Sequence, residues 1–135
     1  MIGTLLFDFG MLVCIWSVQL TIYPSFLYYS EDDLKKWHSV YTSSVFWIVG
    51  PLMFGQLAFH SYGLLEQTSL LKWIGIFMVI VSWFLTFGWA VKLHGKIDSE
   101  KDPFVPARKL VNMNWYRVIT WSLTFLLTLL DWLIG

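Results

Sequence analysis

The sequence predicts an all-α integral membrane protein whose single domain, residues 1–135, is an antiparallel four-helix bundle. Of the 135 residues 57% are hydrophobic, 19% are aromatic and only 13% are charged, with a mean hydropathy of +0.62. So short a chain has too little interior to hide that much apolar surface, and lipid must solvate the rest. Four stretches, approximately 2–23, 40–64, 70–93 and 110–134, reach the roughly 20 helical residues that a hydrocarbon core of about 30 Å requires. None shows the alternation of a membrane β-strand, and backbone amides in lipid must be bonded within their own segment, which leaves helices. The composition also excludes a disulfide scaffold, because Cys14 is the only cysteine. Nucleic acid is not expected as a partner, because nine basic residues are balanced by nine acidic ones.

The first span lacks a positive leader, carries Asp8 and has no small-residue cleavage site, so it reads as a retained helix that ends at Pro24-Ser25. Valine before Cys14 also argues against a lipoprotein site. Ser30-Glu31-Asp32-Asp33 then reads as an N-cap with an acidic first turn, starting the second helix near Asp32, ahead of its membrane portion. The connection at 66–69 is short and makes the second and third spans a hairpin. The connection at 92–109 holds Pro103, Pro106 and most of the remaining charge, and is expected to be a solvated loop.

Basic residues set the expected orientation. Lys35, Lys36, Lys92, Lys96, Lys101, Arg108 and Lys109 flank the first and third connections, against Lys72 alone on the other side. This places those connections in the cytoplasm and both termini outside, for a bacterial inner membrane.

Polar side chains inside the spans carry the functional reading, because each costs free energy in lipid. Asp8, Gln19 and Tyr23 share a face of the first span. His38, Tyr41, Gln56 and His60 fall near one another on the second, with Pro51 blurring the register. On the fourth, Asn114, Arg117, Trp121, Thr124, Thr128 and Asp131 recur at spacings of three and four and should face the bundle. Sorted by depth, Gln19, Tyr23, His38, Tyr41, His94, Asn114 and Arg117 make up the candidate ligand site, to which Trp115 and Trp121 are added as residues deep enough to line it. One permanent cation, two imidazoles and several hydrogen-bonding groups suit an anionic or quinone-like headgroup.

Simpler roles compete at each position. Arg117, read as one turn into its helix, could snorkel to phosphates, and His38 and His94 could sit at the interface as caps. Gln19, Gln56, Ser82, Thr86, Thr124 and Thr128 could be interhelical bonds. Asp8 and Asp131, near the outer ends, could simply be hydrated. Most tryptophans read as belt or packing residues, with Trp83, Trp89, Trp115 and Trp121 deep enough to line a pocket. No catalytic motif for a metalloprotease, serine hydrolase or nucleotide-binding loop occurs. Cys14 lies in mid-span among apolar neighbours, where a thiol is unreactive. Inward Glu and Glu-x-x-His pairs for a di-iron bundle are missing from the spans. No cofactor is required; haem b held by His38 and His94 stays geometrically open.

Tyr23-Pro24-Ser25, Trp37-His38, Pro51-Leu52-Met53 with Gln56, and Leu93-His94 leading to Asn114-Trp115-Tyr116-Arg117 and Trp121 resemble a set of uncharacterised bacterial four-span proteins. These are in turn similar to the anthrone-oxygenase-like membrane family. The resemblance implies cofactor-independent oxygenation of polycyclic phenols, as in some members, and site membership for Asn114, Trp115 and Arg117. The expected function is therefore binding of a lipophilic quinone-like or polycyclic phenol ligand in a polar intramembrane pocket, with redox or oxygenase chemistry. The alternatives are a small accessory subunit of a larger membrane complex and, third, a haem b carrier. Expected partners are the bilayer and the lipophilic small molecule, with a homo-oligomer or larger complex left open.

Overall fold

A computed structural model of the chain describes residues 2–135. Four helices, all long and apolar enough to cross a membrane, pack antiparallel: α1 (Ile2–Tyr28), α2 (Glu31–Glu66), α3 (Leu70–Ser99) and α4 (Phe104–Ile134). There is no strand among the described residues. Both termini and the 67–69 connection lie at one end, hereafter the Asp8 end, where Ser69 donates to Asp131 at 3.0 Å. The 29–30 and 100–103 connections lie at the other, the Asp98 end.

The helices outrun their predicted spans. Pro24 does not end α1. It follows a π-turn, Val18–Ile22, at a position where a missing amide hydrogen is tolerated, and the helical path continues to Tyr28. The start of α2 is as the sequence implies: the Ser30 hydroxyl accepts from the Asp33 amide at 3.2 Å, ahead of three acidic residues. The expected loop at 92–109 is largely helix. Val91–Ser99 continues α3 as an amphipathic turn-out with Leu93 and Ile97 buried, and α4 already begins at Phe104, leaving only 100–103 as connection.

Packing at the Asp8 end is tight because glycines admit aromatic rings. A Cβ at Gly3 or Gly55 would overlap the rings of Phe59 and Phe7, which stack on each other with centroids 5.2 Å apart between α1 and α2. Further along, Met11, Ile15, Met53, Val118 and Trp121 form a mid-bundle core, and a second cluster around Phe26, Leu34, Ile97 and Leu110 closes the Asp98 end. Between these clusters α2 and α3 separate on one side, where Gly50 and Pro51 lie on α2 and a second π-turn, Thr86–Ala90, lies on α3.

Candidate functional site

The separation of α2 and α3 opens a cavity of about 400 Å³, within the size range of small-molecule sites. Its walls are apolar: Val45, Val49 and Met53 from α2, Ala90 and Phe87 from α3, with Met11, Ile15 and Val18 of α1 as the floor. Phe46, Phe54, Phe87 and Val91 at its rim are all well exposed, so the cleft opens sideways, toward where lipid would lie. Its polar lining includes Tyr23, Tyr41, Thr86, His94 and Arg117.

Arg117 stands 13 residues beyond Phe104, about 20 Å along α4, far deeper than the single turn the sequence suggested. It is 6% exposed and does not snorkel. One terminal nitrogen donates to Asn114 Oδ1 at 2.9 Å and to the Tyr23 hydroxyl at 3.2 Å, and the guanidinium carbon lies 5.0 Å from the Trp121 ring centroid. Asn114 in turn donates to Gln19 Oε1 at 2.9 Å, and Gln19 donates to the Val111 carbonyl at 3.3 Å. Gln19 and Tyr23, at the start and just past the end of the π-turn in α1, are buried as Asp8 is. These partners of the guanidinium are all neutral. Arg117 Nε is buried with no hydrogen-bond partner, and so is the indole nitrogen of Trp83, another residue of the cleft wall. Two residues that line one apolar cleft therefore each carry a buried, unmatched N–H donor, and each leaves a desolvation cost that an acceptor atom would offset.

A second set of bonds runs from Tyr23 to the Asp98 end. The Tyr23 hydroxyl meets His94 Nε2 at 2.9 Å, His94 Nδ1 meets His38 Nε2 at 2.7 Å, and His38 Nδ1 meets Asp98 Oδ1 at 2.7 Å. The imidazoles meet edge to edge through these nitrogens, with centroids 5.0 Å apart and planes 25° apart, flanked by Tyr41, and Phe26 packs at a steep angle against the His38 ring. His38 is fully buried, whereas the Asp98 side chain is 48% exposed.

Toward the Asp8 end the network continues through Trp121, whose indole donates to Gln56 Oε1 at 3.0 Å. Gln56 donates to Asp8 Oδ1 at 2.7 Å, Thr128 to Asp8 Oδ2 at 2.6 Å, and His60 Nε2 lies 3.0 and 3.1 Å from the two carboxylate oxygens. Asp8 is 0% exposed, so the expectation that it is merely hydrated is overturned: the glycine contacts of α1 and α2 bring it inside. Asp131 is partly buried and bonded to Ser69, beside a smaller cavity of about 150 Å³ at this end.

Eight of the nine predicted site residues, Gln19, Tyr23, His38, Tyr41, His94, Asn114, Arg117 and Trp121, thus come together. Trp115 does not. One position past Asn114 it is rotated about 100° around the helix, and it lies 44% exposed against Trp16 on the outer surface. Trp89 likewise faces outward, stacked on Tyr116, while Trp83 does line the cleft. Asp98 is the residue of this network that the sequence reading missed, and its spacing of four from His94 on a continuing helix is the available signal. Cys14 borders the cleft as well.

Among the described residues, no group of three or more His, Cys, Asp or Glu side chains is arranged to hold a metal ion. The two histidines do not fit a haem iron in this arrangement, because they bond directly to each other and their outer nitrogens are taken by Asp98 and Tyr23. Comparison with family models, with curated proteins and with solved structures returns no match to the chain.

Proposed function

We propose that the cleft between α2 and α3 binds a lipophilic ligand that enters from the bilayer and presents oxygen acceptors to Arg117 and Trp83. The observation that carries this reading is the pair of buried, unpartnered N–H donors carried by two residues that line a largely apolar cavity. A quinone-like or polycyclic phenol headgroup meets the requirement, having a flat apolar body for the walls and oxygens for the donors. Redox or oxygenase chemistry of such a ligand, as the resemblance to the anthrone-oxygenase-like family implies, is consistent with a site that shields it from water. An accessory subunit would turn its polar groups toward a partner. Here the stripes converge inside one chain, which favours the binding reading. The seven basic residues flanking the Asp98 end support a bacterial inner-membrane orientation with that end in the cytoplasm. In a Cys14→Ser background, an impermeant thiol reagent should reach Ser69→Cys but not Ser99→Cys in intact cells; the reverse labelling would invert the orientation.

Ligand binding is tested on purified protein in mild detergent, by mass spectrometry of co-purifying lipophiles and by titration with decylubiquinone. Lysine keeps the charge of Arg117 but lacks its planar fork of donors. Arg117→Lys should therefore weaken decylubiquinone binding about tenfold or more, equivalent to about 1.4 kcal/mol, and strip any co-purifying ligand. Val45→Trp, which fills the cleft from one wall, should abolish binding without lowering the melting temperature. Wild-type affinity in both variants would refute the cleft as the site.

A further inference from the structure

We infer that Asp98, His38, His94 and Tyr23 form a proton relay joining water at the Asp98 end to the cleft, and that the ligand headgroup is one that exchanges a proton there, a phenol or hydroquinone. The inference rests on the proposed binding function and adds to it the chemical class of the headgroup. It starts from the polarity of the two ends. Taken as a carboxylate, Asp98 can only accept, so His38 Nδ1 carries the hydrogen of their 2.7 Å bond. A neutral His38 then accepts at Nε2 from His94 Nδ1, and a neutral His94 accepts at Nε2 from the Tyr23 hydroxyl. Arg117 can only donate, and it donates to that same tyrosine oxygen. The four bonds have one self-consistent assignment in which each hydrogen points toward Asp98.

A purely structural network would have no reason to keep both ends accessible. Here the Asp98 side chain is half exposed and Tyr23 lines the cleft, with the fully buried His38 and the partly buried His94 between them, and His94 and Asp98 also border the cleft. The tyrosine oxygen donates one bond and accepts one, and its second lone pair, beside the Tyr41 hydroxyl, is the one a ligand O–H would take. In the forward step the ligand O–H bond breaks and its proton joins the Tyr23 oxygen as the tyrosine proton passes to His94 Nε2. The His94 Nδ1 proton passes to His38 Nε2, and the His38 Nδ1 proton to Asp98. One proton leaves the headgroup, one reaches the carboxylate, no electron moves, and the new oxyanion stands beside the Arg117 cation. The reverse sequence restores the starting tautomers.

The full-length protein, labelled with ¹⁵N-histidine, tests the relay without any ligand. Both imidazoles should carry hydrogen at Nδ1 with an N–H···N bond between them. The His94 proton should exchange with D₂O at least ten times faster in wild type than in Asp98→Asn, whose amide cannot take up the proton. Asp98→Glu should restore the rate, and Tyr23→Phe, which cuts the relay on its cleft side, should leave it fast. Equal exchange in wild type and Asp98→Asn, or hydrogens on opposite nitrogens of the two rings, would overturn the relay. The headgroup class is tested separately: Tyr23→Phe should weaken decylubiquinol more than decylubiquinone, since only the quinol offers an O–H to the tyrosine oxygen, and equal losses would contradict it. Failure of wild type to bind decylubiquinone and decylubiquinol with the exchange pattern intact would count against the cleft function and the headgroup class, not against the relay.

Discussion

Each end of the bundle joins a carboxylate to histidine inside an apolar shell, but the two networks differ in what they leave over. At the Asp8 end the carboxylate is completely enclosed and its oxygens are met by Gln56, His60 and Thr128, with Trp121 completing Gln56. At the Asp98 end the carboxylate reaches solvent, and the inner terminus of the network abuts a cavity lined by Arg117 and Trp83, whose buried Nε–H and indole N–H are unused. A saturated buried network specifies how helices dock, because any other arrangement strands a charge or a donor. One with spare donors on an open cleft is destabilising by itself, and a ligand supplies what is missing. Trp121 stands at the boundary, its ring under Arg117 and its N–H on Gln56, so the saturated half holds the open half in place.

The comparison breaks most readily at Asp8. Asp8→Ala leaves three donors stranded in the interior and should lower stability in detergent by about 3 to 5 kcal/mol, read from thermal unfolding. Asp98→Ala, on a half-exposed carboxylate, should cost about 1 kcal/mol or less. Equal losses would mean that the two ends play the same role. A finer contrast sets Thr128→Val against Trp83→Phe. The first removes a single hydroxyl bonded to a buried carboxylate and should cost about 2 kcal/mol. The second removes more atoms, but its N–H has no partner and the lost ring only widens an existing cleft, so melting should shift less than for Thr128→Val. A larger shift for Trp83→Phe would show that the indole is structural.

Periodicity made much of this legible. The seam of α4, from Asn114 through Arg117, Trp121, Thr124 and Thr128, is buried as its spacing predicts, and His38, Tyr41, Gln56 and His60 do share the inner face of α2 despite Pro51. Errors arose where a local signal stood in for a tertiary one. The run from Lys92 to Lys109 reads as loop because its charges suit water, yet Lys92, Lys96 and Asp98 decorate a helix, Val91–Ser99, whose other face buries Leu93 and Ile97, which hides Asp98 from a sequence reading. Asp8 read as wet from its nearness to the chain start, because nothing in a single sequence tells that Gly3 and Gly55 let two helices close over it. Trp115 reads as a site residue from its depth and from the resemblance carried by Asn114-Trp115-Tyr116-Arg117, but one residue of rotation past Asn114 carries it to the outer surface. The unpartnered donors were beyond reach, since an orphaned N–H is a property of all four helices once packed.

The central claim is that the spare donors of the cleft, and not the saturated network beyond Trp121, are what the ligand meets. ¹⁵N spectra of the arginine Nε–H and indole N–H groups, recorded as decylubiquinone is added to the purified protein, report on both halves at once, with Trp83→Phe and Trp121→Phe used for assignment. The account predicts that the Arg117 Nε–H and Trp83 indole resonances move downfield as they gain acceptors, while the Trp121 indole, already bonded to Gln56, holds its position. Binding that shifts Trp121 and leaves Arg117 and Trp83 unmoved would contradict it.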